Sequence, residues 1–303
     1  MKIALVDVDG HNFPNFSLMR IAAWHKAQGD TVEWYNPLFS HPDKIYASKV
    51  FTFTLDYTDY NPSDPEPIRG GTGYRLYNEL PEEIDRMLPD YSIYPGYDIT
   101  IGFLSRGCIR NCPWCVVPRK EGPLRQYDDI ERIAQACKKV VLMDNNFLAN
   151  DFEFVKEQFN KAIKANLKLD FNQGLDARLV TPEIADLLAK TKWQRYIRFA
   201  CDTAGMIEPL RRAVKLLRNA GYSREIFCYV LSQRPKESLK RIIKISEIDP
   251  LIIPFCQPFR NLDGDGRVAN PELKMIARWC NMVSIRKSCK FEEYKKWQKI
   301  GVK

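Results

Sequence analysis

Between Ile99 and Cys256 the chain alternates short apolar segments with helical ones six times over. The strand-like segments are Ile99–Leu104, Val140–Met143, Leu167–Gln173, Arg195–Cys201, Glu225–Leu231 and Leu251–Cys256. Between them lie stretches of helical period such as EFVKEQFNKAIKAN, PEIADLLAK and EPLRRAVKLLRNAG. A run of βα units admits few topologies, because each crossover returns the chain to a neighbouring parallel strand. The expected fold is therefore α/β, with a parallel sheet either curled into a partial (β/α)6 barrel or left open. Every strand ends in polar residues: the loop at Cys108, then Asp144 with Asn145 and Asn146, Gln173, Asp202, Ser232 and Gln257. Parallel α/β folds place their chemistry at that edge. If Asp202 points inward, alternation puts Tyr196 and Arg198 on its face and Ile197 and Phe199 on the other. An inward arginine then needs an anionic partner.

The flanks read differently. Lys2–Val8, Thr31–Tyr35 and Ile45–Phe53 have strand character, and Phe16–Gln28 is helical with Asn15 available as its cap. This makes residues 1–95 a small Rossmann-like α/β domain ahead of the barrel at 96–260. Tyr57–Tyr74 holds three prolines and three glycines and is expected to be an irregular connection with tight turns at Gly70, Gly71 and Gly73. Residues 261–303 form a basic helical extension. Lys274–Lys303 carries nine Lys or Arg against two Glu, out of a net charge of +8 for the 303 residues. Such a tail can meet nucleic acid. The reading favoured here is a docked helix, with Phe291, Tyr294 and Trp297 as an apolar stripe against the barrel.

Hydrophobic content of 45% and charged content of 28% exclude a disordered chain. No apolar run approaches the roughly 18 residues of a membrane span. The first residues, with Asp7 and Asp9 inside an apolar run, read as a strand and not as a signal peptide. Nine cysteines without an export signal imply reduced thiols and a cytoplasmic location.

Three of those cysteines fall within FLSRGCIRNCPWCVVPRKEG, residues 103–122, with the spacing C-x3-C-x2-C at Cys108, Cys112 and Cys115. A structural zinc takes four protein ligands. No further cysteine or histidine lies within twenty residues of Cys115, and His11, His25 and His41 are all in the other half. Three thiolates suit a cubane iron–sulfur cluster with one iron left open; a zinc knuckle in a nucleic-acid-binding module is the reading from another class.

The segment resembles the signature of the radical S-adenosylmethionine (SAM) superfamily, C-x3-C-x-aromatic-C after the first barrel strand, with Trp114 as the aromatic residue. The resemblance covers residues 97 to about 260. It implies a [4Fe–4S] cluster on Cys108, Cys112 and Cys115, SAM chelated to the fourth iron, and an electron from a reductant such as flavodoxin or ferredoxin. Cleavage of SAM would yield a 5′-deoxyadenosyl radical that abstracts hydrogen from a substrate: a small molecule, a peptide or RNA. By the same resemblance Trp114 lies at the cofactor. Asp144 and Asn145 in MDNNF face the SAM amino group, though the family's glycines are missing there. Arg178 in QGLDARL pairs with the methionine carboxylate, Asp202 in FACDTAG takes the ribose hydroxyls, and Tyr229 and Val230 offer an adenine wall.

The N-terminal domain is similar to the cobalamin-binding-like domain of one subgroup, whose pattern is D-x-H-x-x-G followed by S-x-L and G-G. Here Asp9 and His11 are followed by Pro14 in place of the glycine, and Ser48-Lys49-Val50 and Gly70-Gly71 stand for the rest. The departures and the small size imply a degenerate relative, so cobalamin is not expected and His11 reads as a loop residue. A cobalamin-dependent radical methyltransferase is nonetheless the first alternative. Methylthiotransferase-like RNA modification is the second, since CPWCVVPRKEGPLRQ is similar to that subgroup's cluster loop. Those enzymes need three N-terminal cysteines for a second cluster, and this chain has none before Cys108; Cys280 and Cys289 read as buried thiols.

Overall fold

The computed structural model describes every residue except 11, 136, 261–266, 269 and 301–303, and leaves the side chains of 298–300 undescribed. The chain divides into two compact units, one spanning Met1–Asp98 and the other Ile99–Arg260, continuing from Val268.

The first unit contains β1 (Lys2–Asp7), α1 (Phe16–Ala27), β2 (Thr31–Trp34), β3 (Lys44–Ser48), β4 (Ile68–Gly70) and α2 (Glu82–Asp85). Its sheet is parallel in the order β2-β1-β3-β4. Alternation buries Ala4, Val6, Ile45 and Ala47 on one face, with Tyr35, Tyr57 and Tyr60 packed over them. Asn15 caps α1 by accepting from the Leu18 amide. Two expectations change here. The strand expected to reach Phe53 stops at Ser48, because the Asp9 carboxylate accepts from the amides of Val50 and Phe51 and from Thr54 Oγ1, curling the chain into a turn. The stretch 57–74 is not wholly irregular, since Ile68–Gly70 adds an edge strand to β3 directly after Pro67, where no ladder donor is lost. Gly71 then turns at φ +92°, where a Cβ would collide with Lys49 O.

The second unit runs β5 (Thr100–Gly102), β6 (Ser105–Arg106), α3 (Val117–Lys120), β7 (Arg125–Gln126), α4 (Ile130–Ala134), β8 (Lys139–Leu142), α5 (Phe152–Lys164), β9 (Lys168–Phe171), α6 (Pro182–Lys190), β10 (Lys192–Trp193), β11 (Ile197–Ala200), α7 (Ile207–Asn219), β12 (Ile226–Ser232), α8 (Pro235–Ser246) and β13 (Ile252–Pro258). Helices α9 (Pro271–Asn281), α10 (Val283–Ser288) and α11 (Phe291–Ile300) follow. The long strands are parallel, in sheets ordered β10-β9-β8-β5 and β11-β12-β13, and a parallel bridge between Leu175 and Phe199 links the two sets. All six strand segments read from the sequence are present. Helices α4, α5 and α6 start where the sequence supplies caps: Asp129 on Glu131 N, Asp151 on Phe154 N, and Thr181 on Ile184 N with Pro182 at the first helical position. On α5, Val155, Phe159 and Ala162 form the buried stripe that meets the sheet.

Ile197 and Phe199 are fully buried against the helices. Arg198, on the opposite face, finds its anion in Asp170, bonded at 2.6 and 2.7 Å, and also donates to Tyr229 Oη at 3.2 Å. At the C-terminus, α9 packs on β13, and Trp279, Phe291 and Tyr294 join the core. Cys280 and Cys289 are buried thiols. Trp297 leaves the expected stripe and is 57% exposed. Each three-residue step along a helix turns back by about 60°, so Phe291 and Trp297 lie about 120° apart.

Candidate functional site

The cysteine loop leaves β5 at Gly102 and is gripped from the end of β8. Asp144 is 1% exposed. Its Oδ2 accepts from Leu104 N at 3.1 Å, and its Oδ1 accepts from Ser105 N at 2.6 Å and Ser105 Oγ at 2.8 Å. Asn145 Oδ1 accepts from Gly107 N at 3.0 Å. The loop is closed further along by the short β6–β7 hairpin and by Arg106, which holds the Glu121 carboxylate at 2.7 and 2.9 Å. Gly107 precedes Cys108 at φ +81°, and a Cβ there would collide with Pro123 O. Only glycine fits where the loop crosses over itself.

Asp144 and Asn145 were expected to face a ligand. Both instead have the amide-accepting oxygens described above committed to the cysteine loop. The sequence places them correctly at the strand end, but their acceptors go to loop amides that no neighbouring strand pairs. Burial pushes the Asp144 carboxyl up to about 7, against the pull of its hydrogen bonds from Ser105 and Leu104.

Cys108, Cys112 and Cys115 are all half-buried and unbridged. Cys115 N donates to Cys112 O at 2.9 Å in a tight turn. Cys108 Sγ accepts from Arg110 N at 3.3 Å and from Asn146 Nδ2 at 3.4 Å. Burial raises the Cys112 thiol, and the nearby Cys115 and Cys108 raise it further while Arg178 opposes them. Burial likewise raises Cys115, with Val117 N opposing and Cys108 adding to the rise. Thiols held back from ionising, as Cys112 and Cys115 are, belong to a donor set that cationic iron relieves, with release of protons. Among the described residues, no three His, Cys, Asp or Glu side chains are arranged to hold a single metal ion. A cubane differs in taking one thiolate at each of three separate iron corners. One further observation fits a bound group: Asn146 Oδ1 is buried with no partner at this strand end.

Arg178 is also committed. Its Nε and Nη2 hold the buried Asp176 carboxylate at 2.7 and 2.9 Å, and Arg110 Nε reaches the same carboxylate at 3.2 Å. Burial works against Asp176 ionising, yet the Arg178 bonds leave its carboxyl below the usual range. Two guanidiniums share one carboxylate, so positive charge is left beside Cys112 and Cys108.

Asp202 and Trp114 line a cleft of about 190 Å³ with Thr203, Leu231, Ser238 and Arg241. Sites for whole small molecules usually enclose roughly 300–1,000 Å³, so this cleft suits part of a larger ligand. Asp202 Oδ1 accepts from Leu231 N at 3.0 Å, and burial raises its carboxyl. Arg241 is 4% exposed, donates to Leu231 O and Glu237, and has its Nε buried without a partner. Tyr229 and Val230, expected as an adenine wall, do not line this cleft. Val230 is fully buried in the core, and Tyr229 donates to Asn172 O at 2.8 Å, so Leu231 meets the cleft in their place. Asn146, Asp176 and Arg241 were not singled out from the sequence; Asn146 stood in the same DNN triplet as its two neighbours.

In the first unit, Asp9 is spent on the loop 50–54, and Ser48 is 4% exposed and bonded to Asn15. His11 lies outside the described residues.

No protein-family model matches the chain, and no curated protein matches it. Among solved structures it is similar to the radical SAM methyltransferase TsrM from Kitasatospora setae, determined with a tryptophan substrate and the SAM analogue aza-SAM. The TM-score is 0.59 at 13% identity, over 82% of this chain and 71% of that one. The likeness is one of fold: parallel α/β, as in a radical SAM enzyme. Among the described residues no helix is long and apolar enough to cross a membrane.

Proposed function

We propose that the chain is a radical SAM enzyme whose six parallel strands, from β5 to β13, form the partial barrel of that family. The observation that carries the reading is a C-x3-C-x2-C loop held at the carboxyl edge of β5 by residues from the edge of β8, in a chain with a radical SAM enzyme's fold. Cys108, Cys112 and Cys115 would hold a [4Fe–4S] cluster. When bound, such a cluster supplies one electron to SAM, which divides into methionine and a 5′-deoxyadenosyl radical able to take a hydrogen atom from substrate.

The chain's own residues divide the remaining work. Asp144 and Asn145 fix the loop so that its three thiols stand in one place. The Arg110–Asp176–Arg178 cluster keeps positive charge beside the thiolates, which favours an electron-rich centre and the carboxylate of SAM. Asp202 offers its second oxygen to the ribose diol, Trp114 and Leu231 cover the nucleoside, and the cleft receives that end of the molecule. Flavodoxin or ferredoxin is the class of reductant required. A second reading, methyl transfer with cobalamin on the first unit, is favoured by the likeness to a methyltransferase. Corrin absorbance retained after reconstitution with cobalamin would select it.

The test is anaerobic reconstitution with iron and sulfide. About four irons per chain and 5′-deoxyadenosine formation under dithionite are expected, both lost in Cys108→Ala, Cys112→Ala or Cys115→Ala and kept in Cys137→Ala. One zinc without sulfide would sink the proposal in favour of a metal-stabilised binding module.

A further inference from the structure

Three consecutive side chains at the end of β8 turn to the cysteine loop, and they do different things. Asp144 and Asn145 take backbone amides. Asn146 reaches a ligand atom, with its Nδ2 3.4 Å from Cys108 Sγ. Asn146 is 4% exposed, and its Oδ1 is buried with no partner. Leaving an amide oxygen unpaired in the interior is a cost that an apolar side chain of equal size avoids. Turning the amide over would set its carbonyl oxygen against the sulfur lone pairs, so the donor faces the thiolate. With Arg110 N at 3.3 Å, Cys108 Sγ receives two N–H donors.

We infer that Asn146 tunes the reduction of the cluster through the Cys108 thiolate. The inference rests on the radical SAM reading of the three cysteines. An N–H donor to a ligand sulfur stabilises the more negative, reduced form over the oxidised one, and so makes one-electron reduction easier. Asn146 is a positioning residue here, since it acts through Cys108.

The experiment is a redox titration of the reconstituted full chain, followed by electron paramagnetic resonance of the reduced cluster. Wild type, Asn146→Leu and Asn146→Asp are compared, with iron counted in each. Asn146→Leu should hold about four irons and show a reduced-to-oxidised ratio about tenfold lower at a given potential. For one electron that is a midpoint lower by about 59 mV. Asn146→Asp, which keeps the shape but brings a carboxylate to the thiolate, should fall at least as far. A full cluster in Asn146→Leu with an unmoved midpoint overturns the inference and leaves the radical SAM reading standing. Should Asn146→Leu fail to hold iron, an Asn146→Asp midpoint at or above wild type overturns it in the same way. A wild-type chain that takes up no cluster overturns both.

Discussion

Replacing Asp144 tests the claim that the cysteine loop is held from the end of β8. Three donors, Leu104 N, Ser105 N and Ser105 Oγ, converge on its carboxylate in a site that is 1% exposed. Asp144→Ala strands all three. At about 1–3 kcal/mol for each buried donor left unpaired, with partial relaxation, the loss is about 3–6 kcal/mol. For a domain of this size that lowers Tm by roughly 10–20 °C. Asp144→Asn keeps the volume and, like the protonated carboxyl, has one donor end and one acceptor end, so at low pH it should cost no more than about 1 kcal/mol. The pH dependence separates the two states of the carboxyl. The folded chain holds the Asp144 proton up to about 7, while the unfolded chain loses it near 3.8. The unfolded state therefore binds fewer protons across this window, and stability falls as pH rises through it, by at most about 1.4 kcal/mol per unit. The Asp144→Asn variant carries an amide there and has no such proton to lose. Urea unfolding of both proteins at several pH values should show wild-type stability relative to Asp144→Asn greatest below about pH 4 and falling toward pH 7 by about 4 kcal/mol, enough to reverse their order. Parallel pH profiles, or an Asp144→Ala protein with unchanged Tm and full iron loading, would refute the argument.

Asp202→Ala should leave iron content unchanged and weaken SAM binding by about 1–3 kcal/mol, or roughly 5- to 150-fold in Kd by isothermal titration; unchanged affinity would move the ribose contact elsewhere. Gly107→Ala combines a left-handed backbone cost of about 1–2 kcal/mol with a collision against Pro123 O, so the variant should fail to hold iron while its far-ultraviolet circular dichroism stays that of the wild type. In the tail, Arg286 is bonded to Ser246 and Lys295 to Glu272. Reversing the exposed Lys287 and Lys296 should therefore leave weak, mixed-pool RNA binding unchanged, whereas a salt slope flattened by about one unit per lost cation would make RNA the expected substrate.

The sequence located the strand ends well and the duties of the residues there less well, for a physical reason. Apolar runs bounded by polar residues mark each strand, because burial on both faces of a parallel sheet demands them. Which way a residue faces at the strand's end depends on where pairing stops, and a partner strand decides that. β12 pairs with β13 as far as Ser232, so alternation commits Val230 to the core and turns Leu231 to the cleft. β5 ends early, at Gly102, and leaves the amides of Leu104 and Ser105 unpaired beside the end of β8. The Asp144 carboxylate is the acceptor that satisfies them. A polar triplet of which two members were expected at a ligand thus becomes two clamps and one donor to sulfur. The same reasoning covers the tail: Phe291 and Tyr294 stay within one helical stripe, and a further three-residue step carries Trp297 out of it. In each case the local pattern names the residues that matter, and a contact from a distant segment sets their role. The cysteines escape this dependence because their spacing is itself the signal, whereas Asp202, Arg178 and Asn146 acquire meaning only from what stands opposite them.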